Sequence, residues 1–393
     1  MQSMGRFRFI ASRIRFKGKL PLVCIAVSFV VMICSVAVSS GFRRDIRAGI
    51  AAVSGDIQLL PLNSDLVSGS TPVNRNPAYL SRLDSLPAVD RIEPVVYRVG
   101  IIKSGETIHG VVFKGVEREA GADSTALGAS IPRRLADILS LKPGDRLPAY
   151  FVSDKVKARN FTVTDIYEGI INTDDKLVVY TSLEDMQRLN GWNSGQVSAL
   201  EIFLKNGWRN DSGMKATEDE AGFIAHAWCS PDDEPVYAKS ALSSYPQLFD
   251  WLNLIDFNVV FILVLMTIVA GFNMISGLLI MLFRNISTIG LFKSLGMRNR
   301  DISKVFLLSS SSFVLKGMAI GNALAIVFCL LVDRFRLIPL DPVNYFVDHV
   351  PASLNFPLII LADLLSYLLI MLLLLIPCHF ISRVDPADTV RLK

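Results

Sequence analysis

Four stretches of the chain carry apolar side chains almost without interruption: Leu20 to Val38, Phe257 to Phe283, Val305 to Val332 and Phe356 to Ile376. Each reaches the roughly 18 to 20 residues a helix needs to cross hydrocarbon. The pattern therefore predicts transmembrane helices over 20–40, 257–283, 305–332 and 356–380. Residues 41–256 read differently. Ser54–Leu60, Arg91–Lys103, Thr107–Val116, Arg159–Tyr167 and Lys176–Thr181 are short, rich in Val, Ile, Phe and Tyr, and separated by turn residues, which predicts strands. Ile131–Leu141 and Ser182–Leu189 have helical character, Ser104-Gly105-Glu106 reads as a hairpin loop, Lys142-Pro143-Gly144-Asp145 as a turn, and Asn63–Asn76 as a mobile loop. The expected fold is an α-helical membrane protein with four transmembrane helices and a large α+β domain, its strands mixed or antiparallel, inserted between helices 1 and 2.

Charge orients the layout, because short loops rich in Lys and Arg stay cytoplasmic. Arg6, Arg8, Arg13, Arg15, Lys17 and Lys19 precede the first run; Arg284, Lys293, Arg298, Arg300 and Lys304 face only Asp301 in the second basic segment; Arg383, Arg391 and Lys393 lie in the tail. Segments 1–19, 284–304 and 381–393 are thus expected in the cytoplasm, with 41–256 and the 333–355 loop on the outer side. A cleavable signal is the rival reading of the first run, but its apolar core exceeds the ~7 to 15 residues usual for one, which favours a retained anchor. Neither Cys24 nor Cys34 follows a small residue as a lipidation site would.

Composition adds that 51% hydrophobic residues and a mean hydropathy of +0.42, beside 19% charged residues, need segregated membrane and aqueous parts. The net charge of +4 follows from topology and implies no nucleic acid. No G-x-x-x-x-G-K-[ST], G-x-S-x-G or H-E-x-x-H occurs. His109, His226, His349 and His379 are isolated, Cys229 is alone in its domain, and Asp174-Asp175 and Asp232-Asp233-Glu234 read as solvated turn acids. No catalytic residue, metal site or cofactor is expected in this chain.

Between the second and third runs, Ile286, Ile289, Phe292 and Leu295 recur at near-helical spacing, with Lys293 and Gly296 as stop signals. A short amphipathic helix is predicted across the membrane ends. Gly317 and Gly321 form a G-x-x-x-G step for close helix packing, with packing inside the same subunit the simpler reading. Lys316, placed near the middle of the third run, and Asp363, nearer the outer surface in the fourth, are costly in lipid; Lys316 is expected to snorkel or face the protein interior.

The residues Phe272-Asn273-Met274-Ile275-Ser276, Ile289-Gly290-Leu291-Phe292-Lys293-Ser294-Leu295-Gly296 and Ile381-Ser382-Arg383-Val384-Asp385-Pro386-Ala387-Asp388-Thr389-Val390-Arg391 resemble the permease subunits of type VII ABC transporters, the FtsX/MacB superfamily. Phe9-Ile10-Ala11-Ser12-Arg13, Gly41-Phe42, Leu340-Asp341-Pro342-Val343-Asn344-Tyr345 and Val350-Pro351 are similar to the lipoprotein-releasing permeases within it. The resemblance implies a non-catalytic permease of the bacterial inner membrane, with both termini cytoplasmic. A separate ABC-type ATPase would bind the ATP and Mg, and coupling would work by mechanotransmission rather than through a channel. It further implies that Arg284, Ile286, Ile289, Phe292, Lys293, Leu295 and Gly296 form the ATPase-coupling helix. Thr288 stands where many relatives carry glutamate. The partners implied are the ATPase, a second permease (itself or a sister chain), lipoprotein cargo and a periplasmic carrier. Phe29, Met32, Phe257, Phe261 and Met266 are the residues placed to contact an acyl chain. An exporter of peptide or antibiotic, and an FtsX-like scaffold regulating a cell-wall hydrolase, remain as alternatives.

Overall fold

The computed structural model describes residues 19–380 apart from 64–70, 105–106, 118–126, 153–155, 169–176, 232, 342–344 and 346. The basic N-terminal segment, the tail motif, the tip of the expected 104–106 hairpin, Asp174-Asp175 and the centre of the 340–345 motif lie outside the described residues. Two compact units emerge: Met1–Arg43 with Trp251–Pro339 and His349–Lys393, and Arg44–Asp250 with Leu340–Asp348.

The first unit is helical. Among the described residues, four helices are long and apolar enough to cross a membrane: α1 (Lys19–Ser54), α7 (Pro246–Arg284), α9 (Asn299–Phe335) and α10 (Phe356–Leu373), the last continued by α11 (Leu375–Phe380). Between α7 and α9 lies the short α8 (Ile286–Ser294). The helices α1, α7 and α9 are 36, 39 and 37 residues long, or about 55 Å each, nearly twice the ~30 Å of a hydrocarbon core. They therefore run past the apolar stretches seen in the sequence. In α1 the extension is held by Phe42, Ile46 and Ile50, buried at helical spacing. In α7 the extra N-terminal turns bury Phe249 and Leu252. Hydropathy marks the part that needs lipid, whereas the helix ends where its caps are.

The second unit is a mixed α+β fold on one sheet of nine strands. The strands are β1 (Ile57–Pro61), β3 (Val89–Ser104), β4 (Thr107–Val116), β5 (Gly128–Pro132), β6 (Arg146–Phe151), β7 (Lys157–Tyr167), β8 (Val178–Ser182), β10 (Ala199–Leu204) and β11 (Val236–Ser240), ordered β11-β1-β10-β3-β4-β8-β5-β7-β6. A second, two-stranded sheet pairs β2 (Val73–Asn74) with β9 (Gln196–Val197). The long strand β3 serves two layers: Val89–Val95 pairs with β10, and Val96–Ser104 with β4. Because β6 also returns to β3 at Ile101 and Ile102, strands β3-β4-β8-β5-β7-β6 close on themselves, removing two open edges. Phe113, Phe151 and Phe161 fill the enclosed core with ring centroids 4.9 to 6.2 Å apart. Gly100 makes room for them, since a Cβ there would meet Phe113 and Phe151 carbons at 2.8 Å. Helices α3 (Arg133–Leu139) and α4 (Leu183–Asn190) connect these strands, and α5 (Asp211–Ala227) packs over β11 and β1.

The last turn of α1 ends inside this sheet unit, and its orphan carbonyls need donors. Lys114 on β4 gives Ala52 and Val53 oxygens each a bond of 3.0 Å, and the Tyr180 hydroxyl donates to Ala52 at 2.9 Å. The same ammonium donates to Glu201 on β10 at 2.8 Å, while the Tyr97 hydroxyl donates to the other Glu201 oxygen. Burial pushes the Glu201 carboxyl up, against the pull of Lys114. A positive charge at a helix C-terminus is favourable, and Lys114 and Glu201 are both almost wholly buried. Breaking such a pair strands one charge, so Lys114→Met is expected to destabilise this unit by about 3 to 5 kcal/mol, whereas Lys114→Met with Glu201→Met recovers most of the loss. Thermal unfolding of the purified chain in detergent, followed by the near-ultraviolet signal, measures both.

Candidate functional site

Helix α1 is the axis of the bundle. Half of its apolar window is buried, against 22 to 28% for the other three. The third helix reaches it closely because of small residues: a Cβ on Gly317 would meet Ile25 Cγ2 at 2.7 Å, and one on Gly321 the Ala26 carbonyl oxygen at 2.6 Å. Gly317, Gly321, Ala325 and Cys329 continue at four-residue spacing as one buried row. Phe29 and Met32 are fully buried within this packing. They are thus corrected from acyl-chain contacts to interior packing residues, because the face of α1 that bears them meets α9 and α7. Phe257 and Phe261 on α7 are exposed, and Met266 packs partly against the core.

The same contacts set depth. Gly317 lies against Leu22 and Ile25, only two to five residues into the first apolar run, or roughly 3 to 8 Å from its start. Lys316 is next to it and exposed. It is therefore level with the start of the first apolar run, not with its middle. Val305 and Phe306, which extended the third run in the sequence, are apolar because they are buried against neighbouring helices. Asp363, by contrast, accepts a 2.6 Å hydrogen bond from Asn322, one residue beyond Gly321 and level with the middle of the first apolar run.

Polar contacts on one face of α10 tie it to the bundle. Besides Asp363, Ser366 and Thr267 of α7 are 3.0 Å apart, and Tyr367 and Ser311 of α9 are 2.7 Å apart. None of Thr267, Ser311, Asn322, Ser366 or Tyr367 stood out in the sequence. The available signal was the spacing of 363, 366 and 367 inside an apolar run.

The joint between α7 and α9 is helical where expected, but its apolar residues divide. Ile289 is buried in the bundle core, Phe292 packs partly against it, and Ile286 and Lys293 are half-buried. Arg284, Leu291 and Leu295 are exposed. Ile289 is accordingly corrected from a docking residue to a packing residue. A spacing of three turns about 300° per step, so Leu295 ends on the side of the helix opposite Ile286. Gly296 has φ +84° and closes α8: its N–H donates to Lys293 O at 3.0 Å and that of Met297 to Phe292 O at 2.9 Å, the paired bonds of a Schellman stop.

At the other end of α1, residues remote in sequence converge. A Cβ on Gly41 would meet the Pro351 carbonyl oxygen at 2.4 Å, Ser353 N–H donates to Ala37 O at 2.9 Å, and the Phe42 and Trp251 rings meet edge to face at 5.7 Å.

Residues 260–386, holding α8, α9, α10 and most of α7, match the FtsX-like permease C-terminal family. The chain resembles the FtsX/MacB-type permeases. Its full-length similarity is to the lipoprotein-releasing permeases. The lipoprotein-releasing system transmembrane protein LolC of Xylella fastidiosa (strain Temecula1) is 20% identical across 96% of this chain and 94% of its own length. LolE of Haemophilus influenzae is 21% identical across 95% and 94%. Among solved structures, the periplasmic region of MacB from Actinobacillus actinomycetemcomitans aligns with 52% of this chain and 95% of that one, at 10% identity and a TM-score of 0.31. The chain is thus similar to multi-pass permease subunits of ABC transporters, and its described residues include four helices long and apolar enough to cross a membrane.

The packing of α9 on α1 generates a stability prediction. Gly321→Val forces the two helices apart and is expected to cost several kcal/mol, at or above the usual range for overpacking. Ala323→Val, on the exposed face of the same helix, is expected to cost little. Thermal midpoints of the two variants in the same detergent test this.

Proposed function

We propose that this permease, with an ABC ATPase bound at α8 and a second permease subunit, extracts lipoproteins from the inner membrane and passes them to a periplasmic carrier. The observation that carries this reading is similarity to LolC and LolE along 95 to 96% of the chain, the region between α1 and α7 included. ATP and Mg belong to the ATPase. Its docking rests on the exposed Leu291 and Leu295, flanked by Arg284, while Ile289 holds α8 to the bundle from the opposite side. Both termini and α8 are cytoplasmic, and the sheet unit is periplasmic, in keeping with the Lys and Arg distribution. ATP-driven closure of the ATPase moves the helices and the sheet unit rather than opening a channel.

Leu291→Asp with Leu295→Asp places charge on a surface that must become dry on docking, at a cost of several kcal/mol. The ATPase is then expected to be lost from pull-down, and ATP-dependent lipoprotein release with it, while the thermal midpoint stays near that of the parent. Retention of both activities removes the coupling role of α8. If the ATPase dissociates yet depletion of the permease leaves lipoprotein sorting unchanged, the cargo is of another kind.

Topology has its own test. A cysteine at the exposed Asn193 in the sheet unit is expected to react with a membrane-impermeant maleimide added from the periplasmic side. Reaction only after the inner leaflet is exposed would invert the layout.

A further inference from the structure

Apolar contacts between membrane helices can be exchanged for lipid at little cost, so polar contacts decide how firmly two of them stay together. Between α1 and α7 the described polar contacts concentrate where the apolar runs of the two helices stop. The Asp256 carboxylate receives the Ser39 hydroxyl on one oxygen and the Arg43 guanidinium on the other, and Arg43 also donates to Asn253 Oδ1 at 3.0 Å. Phe42 against Trp251 completes the cluster. The next residue of α7 is Phe257, part of a row of exposed apolar side chains that runs from Leu254 through Phe261, Val264, Ile268 and Phe272. Below the cluster α7 meets α1 through Val259 and Leu263 packed near Ile33 and Val36, and through the weak 4.0 Å approach of Thr267 to Met32 sulfur.

We infer that Ser39, Arg43 and Asp256 form a latch holding α1 and α7 together at the boundary of their apolar runs, and that its release lets the two runs separate beside Phe257 and Phe261. The ion pair suits a reversible latch. Its side chains are 27% and 41% exposed, so water can solvate both charges once they separate, and such a pair contributes modestly rather than locking the helices. The inference deepens the lipoprotein-releasing reading, on which it rests only for what enters there: a diacyl chain seeking an apolar surface between the two helices.

The test measures the helix separation itself. The full chain, with its five cysteines replaced, is placed in lipid nanodiscs with spin labels at Ser40 and Leu254. In the parent a short distance is expected to dominate. Asp256→Asn, and separately Arg43→Gln, are expected to raise the long-distance population by up to about fivefold, the upper end of what a partly exposed ion pair gives. The reversed pair Arg43→Asp with Asp256→Arg is expected to return it towards the parent value. Thermal midpoints accompany each variant, and Arg43→Lys, which keeps the charge, serves if the neutral variants fold poorly: it is expected to give an intermediate distribution. Identical distributions in the parent and neutral variants overturn the latch, as does failure of the reversed pair to restore the short distance. Should separation respond as expected while ATP-driven lipoprotein release from the same nanodiscs does not change, the latch stands and the cargo reading falls.

Discussion

The close approach of α9 to α1 is the contact on which the bundle rests. Lipid tails satisfy apolar side chains as well as another helix does, so helices associate in a membrane through tight packing and polar contacts. Gly317 and Gly321 allow the first, placing backbone against Ile25 and Ala26. Once α9 is seated, Asn322 comes level with Asp363, and Ser311 with Tyr367, so α10 is tied to the same pair. Thr267 of α7 then meets Ser366. These polar contacts meet at the height that the glycine row gives α9 beside α1.

That height also explains why one lysine is tolerable and one aspartate is built into the bundle. Lys316, by its neighbour Gly317, is near an end of the first apolar run and can extend its ammonium towards polar surroundings. Asp363 is near the middle and is bonded to an amide. The joint follows the same logic. One side of α8 is committed to the bundle through Ile289, which leaves Leu291 and Leu295 uncovered.

Within the sheet unit, the corresponding fixed point is the end of α1. Its last carbonyls are held by Lys114 and Tyr180, and Lys114 is held in turn by Glu201. Three elements, β4, β10 and the helix, therefore share one buried charge pair. Removing either charge alone leaves the other uncompensated, so the attachment is specific in geometry even where its net contribution to stability is small.

The sequence by itself determined what depends on local periodicity and composition. Four runs of sufficient apolar length, the strands β3, β4 and β7, the helix α4 and the glycine stop after α8 were all legible, because each is written in a window of a few to some twenty residues. The tertiary structure decided which way the elements face and what they meet. The strand β10 escaped notice because Ala199–Leu204 is buried at every position and so shows no alternation; its Glu201 is satisfied by a lysine 87 residues away. Closure of β3 onto β6 likewise depends on a pairing between strands that are not neighbours in the chain. Phe29, Met32 and Ile289 looked like surface candidates because hydropathy cannot tell a lipid-facing side chain from a protein-facing one. Both environments are apolar, and only the rotation of each helix against its neighbours separates them.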